Sequence, residues 1–568
     1  MLSWFDANPA AYWCIVLVSM AIALYSMLRP FLLRDWVDEK KTDWPWSVVI
    51  IALLAAGRWP TLFLTRHYSP DECQLIASAR TLRYDPVFWR SVDGMTAGPL
   101  DYFALWPAGT LLGDDCYASA RLTALALIAV ALIFAYQTLA SLFGRQLARI
   151  TIFSAVCVEA LTKSYDLLHY STELVSMSLL SIAFFLFTQR FFGASSRRWN
   201  ALGGLILGCV PLAKPQAAPA AALIGLSWIV GECLLPGKAV IVDRLKSLTA
   251  LIVSAVTPVC LTALIIAVYG LWPYFKLTYF EHNIAYVDAG LHLPLYGIFT
   301  EFVRLSGNAD GLLFEWLGGG FLWLALTFPV RKTVERPIRI FALVSILLFA
   351  VSLGCVLLPH RPYIHYWQLV IVPWTLVLGA NLGLIIDALG KTQRLARCII
   401  QCSLMLFSFA GVLYARAGVM APLQNSLVFF QNLPQADVVI ELSKYTRHGE
   451  SMAMWGWMPE YFVEARLRQA TRRNVSNAEI DDGPFRDRFR QVYLNDLQRS
   501  APPVFLDATG PGNFNYDDRK YSFESAFPAL ADYIHSHYVL ASDAGGSRVY
   551  VRRDRWSAST EAVRPFKR

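Results

Sequence analysis

Residues 66–117 lie between two apolar runs and carry seven carboxylates: Asp71, Glu72, Asp85, Asp93, Asp101, Asp114 and Asp115. Near the start of this stretch stands Ser69-Pro70-Asp71-Glu72. Ser at the N-cap, Pro at the first helical position and Glu at the third form a capping box, which predicts a helix running on to Tyr84. Capping accounts well for Glu72. It accounts poorly for Asp71, which would gain less than about 1 kcal/mol from the helix dipole. A carboxylate just past an apolar crossing is placed to act as a general base, taking a proton from an acceptor hydroxyl or amine. Asp71 is the first candidate for that role, with Glu72 beside it. Asp166 is the best second carboxylate. If Asp71 and Asp166 converge, they could bind one divalent ion through oxygen; otherwise Asp166 is a solvated loop acid. Arg58, Glu159 and Glu173 stand inside apolar segments, where a charge is costly unless it is paired or functional.

The elements that must position these residues are membrane helices. A mean hydropathy of +0.42, 56% hydrophobic residues and only 16% charged residues do not fit a soluble globule. Several continuous apolar runs reach the ~17–25 residues a helix needs to cross a bilayer. The expectation is a polytopic α-helical membrane protein of about twelve crossings, near 10–28, 47–64, 118–142, 148–163, 172–190, 200–213, 215–235, 248–270, 310–329, 340–358, 366–388 and 398–417. No basic stretch precedes the first run, and Arg29, Arg34, Lys40 and Lys41 follow it. The first run is therefore expected to be retained as an anchor, with the N-terminus outside. On that topology the inner loops hold 19 Lys and Arg, and the outer loops before residue 418 hold nine. The alternation holds at every inner loop.

The membrane domain is read as 1–420, with its outer loop at 65–117, and residues 421–568 as a soluble outer α/β domain. In the tail, 436–445, 458–468 and 527–537 read as helices, and 451–455, 503–507 and 548–551 as strands; Gly510-Pro511-Gly512 reads as a turn. Trp272, Tyr274, Phe275, Tyr279, Phe280 and Tyr286 read chiefly as an interfacial belt. Most of the ten cysteines fall inside crossings. Cys73 and Cys116 fall outside, where an oxidising face would permit, without requiring, a disulfide.

The acidic pair in the first large outer loop, followed by a helix, resembles the membrane-embedded GT-C glycosyltransferases. The nearest groups are glycosyltransferase family 39, the protein O-mannosyltransferase-like proteins, and the lipid A aminoarabinose transferases. Gly98-Pro99-Leu100-Asp101-Tyr102-Phe103 is similar to the Pro-Leu-Tyr-Tyr stretch those families place after the acidic pair. The aminoarabinose transferases have a Lys before that Pro, where this chain has Gly98. Pro211-Leu212-Ala213-Lys214-Pro215 resembles a motif at the apex of a broken helical pair, and 359–366, Pro-His-Arg-Pro-Tyr-Ile-His-Tyr, resembles an outer-loop basic and aromatic motif.

The resemblance implies a polyprenyl-phosphate-linked sugar donor, transfer on the outer face, and Asp71 as base or its organiser. It also implies that an acid in the loop of Asp166 holds a metal or orients the base. The cofactor expectation is accordingly either none or one divalent metal ion. A lipid-phosphate sugar has a built-in leaving group, so such a reaction needs cations on the departing phosphate and a base on the acceptor. Lys214, His360, Arg361 and His365, with Tyr363 among them, are the phosphate or lipid candidates. Their plainer roles are snorkelling, interfacial anchoring and structural hydrogen bonding.

The expected partners are the donor, a lipid, polysaccharide or protein acceptor, and the membrane; no basic, aromatic-interleaved patch points to nucleic acid. Short inner loops and an uncleaved start suggest a bacterial inner membrane with the tail in the periplasm. Two other classes compete: a solute or lipid-carrier transporter, which would usually show internal repeats, and a non-catalytic assembly factor in which Asp71 is replaceable.

Overall fold

The computed structural model describes residues 4–5, 8–32, 42–162, 164–192, 198–234, 241–288, 290, 294, 296–297, 299–301, 304, 312–327, 336–389 and 436–556. Its chain divides into two compact units. A helical unit takes Met1–Leu64, Arg121–Ile265 and Tyr286–Phe430. A sheet unit takes Thr65–Ala120, Ile266–Ala285 and Gln431–Arg568.

The helical unit follows from its apolar runs. Among the described residues, seven helices are long and apolar enough to cross a membrane: Ala10–Met27, Tyr117–Phe143, Glu173–Phe192, Pro215–Leu234, Ile241–Val268, Arg336–Leu357 and Ile364–Ile386. Trp46–Leu62 and Leu312–Thr327 are shorter apolar helices. Arg145–Leu161 and Arg198–Ala213 are also helical. The crossing expected at 398–417 lies outside the described residues. Small residues let helices approach closely: a Cβ on Gly204 or Gly208 would come within 2.1 Å of Leu251 O or 2.0 Å of Ala255 O. That one-turn spacing of glycines is a known contact face for apolar helices, which gain nothing from burying surface in lipid and so depend on close packing. Buried charges are paired. Arg58 donates to the Glu159 carboxylate at 2.5 Å and to Leu167 O at 2.9 Å. Arg190 spans both oxygens of Glu232 at 2.6 and 2.8 Å.

The sheet unit is built on five strands: β1 Ser451–Gly456, β2 Arg468–Gln469, β3 Val504–Ala508, β4 Tyr538–Ala544 and β5 Ser547–Arg552. Their order is β2-β1-β3-β5-β4. β1 runs parallel to β2 and β3; β5 runs antiparallel to β3 and β4. β1 and β3 are central and buried on both faces, which is why they read as continuous apolar runs rather than alternating ones. The edge strand β4 reads Tyr-Val-Leu-Ala-Ser-Asp-Ala, buries only Tyr538 and shows no clean alternation, and sequence patterning passed over it. So too with the Arg486–Ser500 helix, whose apolar contacts are limited to Phe489, Tyr493, Leu494 and Leu497. Gly510 and Gly512 both take positive φ, as the expected turn requires.

The Pro70–Tyr84 helix packs into this sheet unit. Ala77 belongs to the apolar core that contains Met452, Leu467, Val504 and Val551. Next to it lies a largely buried polar seam. Asn474 donates from Nδ2 to Gln74 O (2.9 Å), Ser78 Oγ (3.1 Å) and Gln469 Oε1 (3.1 Å). Ser78 donates to Gln469 Oε1 at 2.9 Å, and the Gln469 N–H donates to Thr81 Oγ1 at 3.0 Å. Arg80 donates to Phe462 O at 2.7 Å and pairs with Asp114 at 3.3 Å. Asp115 is held by Arg83 at 2.5 Å. Of the aromatics between 272 and 286, Phe275 and Tyr279 lie edge-on to Trp89, 4.8 and 5.7 Å between centroids.

Because one seam joins residues 74–81 to 467–474, the two segments open together. Asn474→Ala removes the donor to Gln74 O and Ser78 Oγ and one of the two donors to Gln469 Oε1, and should cost about 1–3 kcal/mol. Hydrogen exchange should then accelerate in 70–84 and 451–508 together, with no change in Glu173–Phe192. Acceleration confined to one of the two segments would show that they are separate folding elements.

Candidate active site

In the sheet unit, Asp71 and Glu72 occupy the first turn of the Pro70–Tyr84 helix. Ser69 is extended (φ −145°), and its Oγ accepts from the Asp71 N–H at 3.2 Å. Pro70 at N1 lacks the N–H that would go unsatisfied there. Glu72 is fully buried, and its Oε2 accepts from the Tyr68 N–H at 3.4 Å, one residue before the position a regular capping box uses. Asp71 is half-buried, with Oδ1 accepting from Gln74 Nε2 at 3.0 Å. Behind it, Cys73 is buried with Sγ 3.6 Å from Tyr117 Oη, and burial pushes its thiol well up. Burial and the neighbouring Asp101, Asp93 and Asp71 push the Tyr102 hydroxyl up as well. The Cys73 and Cys116 thiols are both free.

The cationic candidates gather in the helical unit. Pro215 disfavours the α conformation at Lys214, which is extended (φ −137°, ψ 114°) between the Arg198–Ala213 helix and the Pro215–Ala217 turn. The Lys214 side chain is buried. Its Nζ lies 2.7 Å from Glu173 Oε1 and donates to Thr172 Oγ1 at 2.5 Å. The ring of Tyr366 stands 5.1 Å from Nζ. Tyr366 Oη meets Tyr286 Oη at 3.2 Å, and Arg361 lies over the Tyr286 ring at 4.4 Å while donating to Tyr286 O at 3.1 Å. His365 stacks on Tyr363 (centroids 5.5 Å apart, planes 10°) and meets His169 edge-on at 6.0 Å. His360 takes a positive φ of 53°. The Tyr165–Leu168 turn that carries half-buried Asp166 packs against the Ile364–Trp367 turn.

One contact chain thus runs Arg361, Tyr286, Tyr366, Lys214, Glu173, with His365 and Tyr363 alongside. Buried atoms at His365 Nδ1, His169 Nε2, His360 Nδ1 and Glu173 Oε2 have no hydrogen-bond partner among the described residues. Buried polar atoms are seldom left so. The sequence puts Lys214 among the phosphate candidates; in the structure it is paired with Glu173. His169 and Thr172 join the cluster without having been singled out in the sequence, and Tyr366 enters it from the 359–366 motif. Only the cost of an acid at 173 inside an apolar segment gave a signal. Among the described residues, no group of three or more His, Cys, Asp or Glu could hold a metal ion. Asp71 belongs to the sheet unit and Asp166 to the helical unit.

No family model and no curated protein matches the chain. Solved structures do. A crystal structure of ArnT from Cupriavidus metallidurans bound to undecaprenyl phosphate overlays with a TM-score of 0.55 at 12% identity, over 89% of this chain and 98% of that one. ArnT is a lipid A aminoarabinose transferase of the GT-C superfamily. The chain has the GT-C fold. Two further GT-C structures overlay less well. They are the Archaeoglobus fulgidus oligosaccharyltransferase (TM-score 0.43, 14% identity, 89% of this chain and 74% of that one) and the arabinofuranosyltransferase AftD from Mycobacteria (0.42, 14%, 91% and 40%). Within the GT-C fold, the helical unit accounts for the expected membrane architecture and the strands β1–β5 for the expected C-terminal α/β part.

Breaking a buried ion pair from one side leaves an uncompensated charge, at a cost of about 3–5 kcal/mol. Glu173→Gln and Lys214→Met should each destabilise the protein by that order in thermal unfolding in detergent. The double variant should recover most of the loss. Additive losses would mean that Lys214 and Glu173 are not coupled.

Proposed function

We propose that the protein is a glycosyltransferase that moves a sugar from a polyprenyl-phosphate-linked donor to an acceptor on the outer face of a membrane. The observation that carries this reading is the buried cluster at the helix break, Lys214, Glu173, His365 and His169, with polar atoms still unpartnered, in a chain of the GT-C fold. The comparable ArnT structure holds undecaprenyl phosphate, and a lipid phosphate of this kind is the donor end we assign to the cluster.

In the proposed reaction the acceptor oxygen or nitrogen bonds to the sugar's anomeric carbon as the bond from that carbon to the phosphate oxygen breaks. The acceptor's proton passes to Asp71, and polyprenyl phosphate leaves. A single displacement inverts the anomeric centre. Glu72, tied to the Tyr68 N–H, keeps the first turn in place and so positions Asp71. Lys214, Arg361, His360 and His365, with Tyr363 stacked on His365, offset the charge developing on the phosphate. Glu173 holds Lys214 extended into the cluster. Asp166 is assigned to orienting the reacting groups, or to a divalent ion if the reaction uses one. The acceptor is a lipid, a polysaccharide or a protein. The excess of Lys and Arg in the inner loops supports an outer-face site, in the periplasm of a bacterial inner-membrane protein.

Purified wild type, given a labelled polyprenyl-phosphate sugar pool and acceptors from native membranes, should transfer label. Asp71→Asn should fold yet lose at least about 10²-fold in rate. Equal transfer by both would reduce Asp71 to a helix-capping acid. Orientation is read separately, with the exposed native cysteines replaced. Asp482→Cys, on a side chain that is 96% exposed, should react with an impermeant maleimide without inner-membrane permeabilisation. Lys238→Cys should react only after it. The opposite pattern would place the sheet unit inside.

A further inference from the structure

Within the sheet unit, the short helix Glu460–Glu464 packs against the Pro70–Tyr84 helix and against Asp437–Ser443. Its Phe462 shares an apolar core with Ala77 of the Pro70–Tyr84 helix. Phe462 O accepts from Arg80 Nη1 at 2.7 Å. Glu460 stands at the start of this short helix and has no role in the reading above. It is 7% exposed, and its Oε2 is buried without a hydrogen-bond partner among the described residues. An ionised carboxylate is costly in such a place, and holding its proton is the ordinary escape.

The groups around Glu460 do not offset a negative charge. From the Pro70–Tyr84 helix come fully buried Glu72 and the Cys73 thiol. Burial and then Glu460, Glu72 and Glu464 push that thiol well up, so three carboxyls act on one buried sulfur. The Tyr117 hydroxyl beside it is pushed up by burial, Cys73, Glu464 and Glu72. The cations nearby are engaged elsewhere. Arg80 donates to the carbonyls of Phe462, Leu467 and Asp115 and to the Asp114 carboxylate. Arg83 pairs with Asp115, and Arg466 with Asp114 at 3.2 Å. Asp71 accepts from Gln74. The Asp437–Ser443 helix buries Val438, Val439 and Leu442; its Asp437 is exposed, and its Glu441 pairs with Lys444 at 2.5 Å. Burial raises the Glu460 carboxyl to about 7, its own backbone N–H working against the rise and Glu464 adding to it.

We propose that the contact between Glu460–Glu464 and the Pro70–Tyr84 helix is a proton-dependent latch, closed while Glu460 is protonated and loosened when it ionises. Open to water, a glutamate carboxyl titrates near ~4.3; closed in this contact, Glu460 holds its proton to about 7. Its contribution is therefore whole below ~4.3, declines as pH rises, and is lost once pH passes the closed-state value. The helix so held carries Asp71 in its first turn. That the latch regulates transfer rests on the transfer reading; the latch itself does not.

The test is hydrogen exchange on the full-length protein in nanodiscs, between about pH 5 and 9, with the intrinsic pH dependence of exchange divided out. Protection of 460–467 and 70–84 should fall together, by about tenfold per pH unit up to about 7, and then level off. The Glu173–Phe192 helix should not follow. Glu460→Gln is neutral at every pH and should lose most of that fall in both segments. Glu464→Gln removes the neighbouring acid and should move the levelling point to lower pH; if Glu460→Gln fails to fold, this variant decides. A wild type that is flat across the range would overturn the proposal. So would an equal fall in Glu460→Gln, an unmoved levelling point in Glu464→Gln, or a fall in 460–467 that leaves 70–84 unchanged. Because no transfer is measured, a failure here leaves the transferase reading standing, and the reverse holds too.

Discussion

The arrangement in the sheet unit depends on a buried polar seam. Gln74, Ser78 and Thr81 line one side of the Pro70–Tyr84 helix, and Gln469 and Asn474 meet them from the tail. An unmade hydrogen bond in such a place costs about 1–3 kcal/mol, so each partner constrains the rest. The seam joins parts of the chain almost four hundred residues apart, and closing so long a loop has an entropic cost that grows only slowly with length. The same helix carries Asp71 in its first turn. Its first turn is therefore held by the tail's contacts as well as by Ser69 and Pro70.

The helical unit manages its charges differently. Arg58–Glu159 and Arg190–Glu232 are buried pairs within continuous helix; of their two carboxylates, only Glu159 Oε1 is left without a hydrogen-bond partner among the described residues. Lys214–Glu173 is also buried, but it stands where two prolines interrupt the helix and where neighbouring histidine nitrogens lack partners. Desolvated pairs offer little net stability. The first two settle which helices pack together. The third sits among groups that can still accept or donate, which is what separates a candidate site from a structural bridge.

Much of this was legible in the sequence because its signals are local. Apolar runs announce helices that must satisfy their backbone internally. Ser69-Pro70 announces a helix start, and Pro211 with Pro215 a break, because these residues act on their own backbone. β1 and β3 were legible as short, continuous apolar runs. The edge strand β4 and the Arg486–Ser500 helix were not: β4 buries only Tyr538 and lacks a clean alternation, and the helix is polar over most of its length.

By itself, then, the sequence determined a polytopic helical chain, the acidic pair at a helix start and the tail's central strands, all set by hydropathy and backbone preference within a few residues. Only the tertiary structure decided that Lys214 is paired with Glu173, that Glu72 reaches Tyr68 rather than Ser69, and that the outer-loop helix belongs to the tail's core. It alone buried Glu460 beside that helix. Those outcomes turn on which buried polar groups find partners, and a partner hundreds of residues away leaves no mark on local pattern.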